Sequence, residues 1–70
     1  MKEPKLGVRL KDVRTAAGLT QAELAERVGV SRKTINTVEN GVFIPSTLLA
    51  LKLAEALGVA VSDLFFLDRD

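Results

Sequence analysis

Seventy residues with a net charge of +1 make one small domain, short enough that folding hides only about 60% of the unfolded surface. Cysteine and histidine are both absent, so disulfides and thiolate metal sites are excluded and the commonest general base and metal ligand are missing. The nine carboxylates are scattered, and neither a catalytic pair, a phosphate-binding glycine loop nor an effector pocket is evident, so no enzyme, metal, cofactor or small-molecule effector is expected. No apolar run nears the ~20 residues that span a membrane and no signal-peptide pattern is seen, so a cytoplasmic location is expected.

The pattern predicts an all-α domain over residues 1–70, a compact bundle of about five short helices with its core in 6–66. Residues 1–5 and 67–70 are expected to be frayed or partner-dependent. Leu6, Leu10, Val13 and Ala17 follow helical spacing and predict a first helix from Leu6, closed by Gly18 with Leu19 tucked beneath it. Thr20 and Glu23 form a capping box that opens a second helix at Gln21, and Leu24, Ala25 and Val28 are its inward stripe. Gly29 ends it, and Ser31 is a good N-cap for a third helix.

That third helix separates two kinds of residue. Lys33, Asn36, Thr37 and Asn40 share one face with Arg32, and Thr34, Ile35 and Val38 the other. Such segregation alone fits any amphipathic surface helix. Arg32 and Lys33, however, sit in the first turn, where each cation opposes the helix dipole by roughly 0.3–1 kcal/mol. Cations followed by amide and hydroxyl groups suit the reading of base edges in a major groove. Arg32, Lys33, Asn36 and Thr37 are the candidate base readers, Arg and Lys for guanine and Asn for adenine if its amide reaches bidentately. Charge distribution supports a polyanion partner: residues 1–33 hold eight cations against four anions, and residues 34–70 two against five.

The stretch GLTQAELAERVGVS, then TINTVENG, PS and ALKLAEALGV resembles the Cro/C1-type helix-turn-helix domain of the Xre family, the lambda-repressor-like fold, over Leu10 to Phe65. The resemblance implies a small stand-alone regulator that binds double-stranded DNA. It implies that Gln21 holds backbone phosphate, where the start of the second helix already favours an anion, with Thr20 assisting. It also implies a second phosphate clamp at Asn40 and Gly41, and an ion pair between Arg14 and Glu39. Arg9 and Lys11 are candidate outer contacts. An operator bound by a homodimer across two half-sites is the expected mode.

Beyond Gly41 the chain departs from that family, for Val42, Phe43 and Ile44 are apolar where relatives carry basic or polar residues. Ser46 caps a fourth helix with Ala50, Leu53, Ala54 and Leu57 inward, Leu49 and Leu51 flanking, and Leu48 outward. Gly58 closes it, and a last short helix spans 59–64 with Val61 and Leu64 inward. Phe66 and Leu67 either fold back over the underside or join Val42, Phe43, Ile44 and Leu48 in a dimer or partner contact. Two functions therefore stand: an operator-binding repressor, or a protein-interaction module such as the antitoxin of a toxin pair.

Overall fold

The order along the chain is β1 (Lys5–Val8), α1 (Leu10–Ala16), α2 (Gln21–Val28), α3 (Arg32–Glu39), α4 (Thr47–Leu57), α5 (Val61–Leu64) and β2 (Phe65–Asp68). This is the architecture of a computed structural model that describes residues 3–69; residues 1, 2 and 70 of the segments expected to fray lie outside it.

Side-chain caps open the helices where the sequence places them. Thr20 Oγ1 accepts from the Glu23 amide at 3.1 Å, and the Glu23 carboxylate accepts from the Thr20 amide at 2.9 Å. Ser31 and Ser46 each accept from an amide three residues on, those of Thr34 and Leu49. The α5 start is held from the other side, with the Asp63 carboxylate accepting from the Ala60 amide at 2.9 Å. Gly29 ends α2 at φ 76°, a conformation that costs glycine little and other residues more.

One core ties the helices together. Leu10, Leu24, Ala25, Val28, Ile35, Val38, Leu49, Leu53, Ala54 and Leu64 are its buried members. The stripe of α2 and the inward pair Ile35 and Val38 of α3 lie in it as expected. On α4 the buried line is Leu49, Leu53 and Ala54 rather than one centred on Ala50 and Leu57, which are only half-buried. Leu51, expected beside the inward face, is exposed.

The largest departure from the expected bundle is at its ends. The first helix begins at Leu10, and the Lys5–Val8 segment is a strand paired antiparallel with Phe65–Asp68. The molecule is therefore mostly helical with a two-stranded ribbon, not purely α. Lys5 faces Asp68, Leu6 faces Leu67, Gly7 faces Phe66 and Val8 faces Phe65. The cause lies at Gly7. A Cβ there would fall inside the Phe66 ring, so the missing side chain is the seat on which the aromatic rests, an aromatic covering a strand glycine. The Arg9 guanidinium stacks over the other component of this pair, 4.0 Å from the Phe66 ring centroid, and the Arg9 amide donates to the Leu64 carbonyl at 2.8 Å. Phe66 thus folds back over the domain, as does the β2 backbone of Leu67.

Two outcomes are expected. Gly7→Ala should cost about 1–3 kcal/mol in urea denaturation, the usual penalty for overpacking, and much less in a Phe66→Ala background, where the ring is gone. The Thr20 amide and hydroxyl hold the Glu23 carboxyl below its ordinary range. A lowered folded value means stabilisation present above the unfolded value, near pH ~4.3, and lost as pH falls through the folded one. The melting-temperature gap between the protein and Glu23→Gln should accordingly be widest at neutral pH and close on acidification.

Candidate nucleic-acid interface

Three helices meet on one carboxylate. Glu39, in the last turn of α3, accepts from Arg14 Nε at 2.6 Å and from Arg14 Nη2 at 3.2 Å, a two-pronged guanidinium–carboxylate pair. The two side chains keep only 9% and 2% of their surface. Arg14 Nη1 also donates to the Leu19 carbonyl at 2.9 Å, so α1, the turn before α2 and the end of α3 are pinned at one point. The bond to Glu39 raises the Arg14 pKa further, against the opposing effect of burial. The ion pair drawn from the family resemblance is therefore present.

The same carboxylate reaches the surface through Gln21. Gln21 Nε2 donates to Glu39 Oε1 at 2.9 Å and to Asn36 Oδ1 at 3.2 Å. Arg32 Nη1 donates to Gln21 Oε1 at 3.4 Å, and Asn40 Nδ2 donates to Asn36 Oδ1 at 3.3 Å. Gln21, the candidate phosphate anchor, is thus bonded to two candidate base readers and to the core pair at once. None of this relay is visible in the sequence, because its members are brought together by the α2–α3 packing.

The face so assembled is exposed at Arg32, Lys33, Asn36 and Asn40 and half-buried at Gln21 and Thr37. Thr37 spends its hydroxyl hydrogen on the Thr34 carbonyl at 2.9 Å, leaving an oxygen and a methyl group outward. Thr20 is occupied by its capping box, which leaves the amides of Gln21 and Ala22 outside that pair of bonds. At the far end the amides of Asn40, Gly41, Val42 and Phe43 all donate back to α3 carbonyls. An anion near Asn40 and Gly41 would therefore meet the Asn40 side chain rather than free backbone. Lys11 is exposed, and Arg9 is stacked on Phe66.

Beside this face lies apolar surface. Val42, Ile44 and Leu48 are 78%, 72% and 63% exposed, with Phe43, Leu51 and Leu67 also open. Val42 and Phe43 line a shallow hollow with Lys33 and Thr37, and Phe43 lines another with Leu48. Leu51, expected to flank the inward face of α4, is one of these open residues. Its spacing from Leu48, one helical turn, is the signal that places it outward. Among the described residues no cluster of acidic side chains could hold a metal ion, and no helix is long and apolar enough to cross a membrane.

Comparison with known proteins accounts for this arrangement. A helix-turn-helix family model matches residues 10–64. The chain belongs to the Xre, or Cro/C1-type, helix-turn-helix family. It is 50% identical over 62 residues to an HTH-type transcriptional regulator of Methanothermobacter thermautotrophicus, covering 87% of this chain and 90% of the relative. The HTH-type regulator YgzD of Bacillus subtilis is 39% identical over 62 residues, with 89% and 94% covered. Among solved structures, the restriction-modification controller protein C.AhdI of Aeromonas hydrophila superposes with a TM-score of 0.75 at 40% identity, over 79% of this chain and 83% of its own.

Removing one partner of the buried pair should be severe. Glu39→Ala leaves the Arg14 cation uncompensated, a loss of about 3–5 kcal/mol, and is expected to lower the melting temperature far more than Lys33→Ala, as circular dichroism would record.

Proposed function

We propose that this chain is a sequence-specific regulator of transcription that binds double-stranded DNA with α3 in the major groove and acts in the cytoplasm. The observation that carries it is the composition of the exposed α3 face: Arg32, Lys33 and Asn36 project outward while Ile35 and Val38 lock the opposite face into the core. With no acid in its first turn, α3 keeps two adjacent cations where the dipole disfavours them. A phosphate backbone repays that cost. The Gln21 backbone amide at the α2 start supplies the positioning contact, because the side-chain Nε2 is engaged by Glu39 and Asn36 and Thr20 by its capping box, and the Asn40 side chain supplies a second. Positioning contacts set register and base contacts set sequence.

A module of this size buries about 600–1,000 Å² of its own surface on DNA, so two copies on adjacent half-sites are the economical way to operator affinity. Steric repression by such a homodimer is the simplest mechanism. The exposed Val42, Phe43, Ile44, Leu48 and Leu67 favour a protein contact of some kind, either a second copy or, in the alternative reading, a different partner such as a toxin. Phe66, spent on Gly7, is not part of that set.

Selection from random duplex DNA tests the proposal. An enriched motif with two-fold symmetry and half-sites about one helical turn apart is expected; no enrichment would sink it and favour the interaction module. On the enriched duplex, Arg32→Ala and Lys33→Ala should each weaken binding by about 1–3 kcal/mol and relax the preference at one position, with melting temperatures nearly unchanged.

A further inference from the structure

The Asn36 side chain carries both a donor and an acceptor. Its bonding removes half of that capacity. An ionised carboxylate can only accept, so Glu39 compels Gln21 to turn its amide NH2 inward, where Nε2 lies 2.9 Å from Glu39 Oε1. The Gln21 oxygen is left for Arg32, at 3.4 Å. The same Nε2 then meets Asn36 at 3.2 Å and must find an acceptor there, which orients the Asn36 oxygen toward it. Asn40 Nδ2 approaches that oxygen at 3.3 Å. A carbonyl oxygen has two lone pairs, and both are taken. The orientation of three surface amides thus descends from one buried acid.

Resting on the reading of α3 as a major-groove helix, we infer that Asn36 is a donor-only base reader that selects guanine and discriminates against adenine. Guanine offers two acceptors side by side, N7 and O6, whereas adenine pairs its N7 acceptor with an N6 donor. The Asn36 NH2 can satisfy the first edge and leaves the adenine amine without a partner, because the oxygen that would receive it is engaged. Arg32 and Lys33 carry donors alone, so Arg32, Lys33 and Asn36 all address acceptor edges. The usual pairing of asparagine with adenine does not apply here. Glu39 acts on this choice as a positioning residue, through Gln21 and without touching DNA.

The test uses the full chain and the duplex enriched by selection. Asn36→Ala identifies the base pair whose preference it abolishes, and binding is then measured with each of the four pairs at that position. The wild type should favour guanine over adenine by roughly tenfold or more, and 7-deazaguanine, which lacks the N7 acceptor, should lose several-fold. Asn40→Ala frees one lone pair on the Asn36 oxygen and should shrink the guanine-over-adenine ratio several-fold, whatever it does to overall affinity. Adenine preferred at that position, no position answering to Asn36→Ala, or a ratio indifferent to Asn40→Ala would each overturn the inference. Failure of the wild type to enrich any duplex would instead strike at the DNA-binding proposal itself.

Discussion

The Arg14–Glu39 pair is the constraint on which the rest of the molecule depends. Burying two charges is costly, and the return comes only when geometry is good and the remaining hydrogen-bonding capacity is filled. Here Arg14 gives two N–H groups to the carboxylate and a third to the Leu19 carbonyl, and Glu39 completes its shell with Gln21. No buried side-chain polar atom among the described residues is left without a partner. Apolar residues of the same volume would hold three helices together as well. They could not transmit a direction, and direction is what an acceptor-only group supplies to the amides around it.

That transmission unites two kinds of proposed DNA contact which the sequence presents as independent. Gln21 stands at the start of α2 and Asn36 in the middle of α3, and the natural expectation divides them into a phosphate anchor and a base reader. Bonded to each other, they move as one. In the proposed DNA complex, register on the backbone and alignment in the groove are therefore set together, which suits a domain too small to position them with separate pieces of scaffold. Rigid support of this sort saves the ordering cost that loose side chains incur on binding.

Most of the fold was legible in the sequence because its signals are local. Thr20, Ser31 and Ser46 announce helices through bonds three residues away, and Leu24, Ile35 and Val38 declare inward faces by spacing alone. The candidate site was legible to the same depth, as a list of side chains on one face. The ribbon was not, because Leu6 fits a helical stripe with Leu10 as well as it fits a strand, and what decides between them is Phe66 at the other end of the chain. The amide relay was hidden for the same reason: Gln21, Asn36 and Glu39 meet only after α2 has packed on α3. Leu51 was misplaced by a different fault, since a helix as apolar as α4 has too little contrast between its faces for the inward direction to be sharp.

The ribbon also sets how the domain comes apart under tension. In an antiparallel pair with Lys5 opposite Asp68 and Val8 opposite Phe65, a pull applied at the outer ends opens the rungs one after another, as a zipper opens, rather than straining them all together. The first rungs yield with little resistance, and the opening then reaches the Phe66 ring, wedged on Gly7 and topped by Arg9, before any force arrives at the helices. The ribbon therefore takes the load ahead of the Arg14–Glu39 junction, which lies behind it in the path of the force.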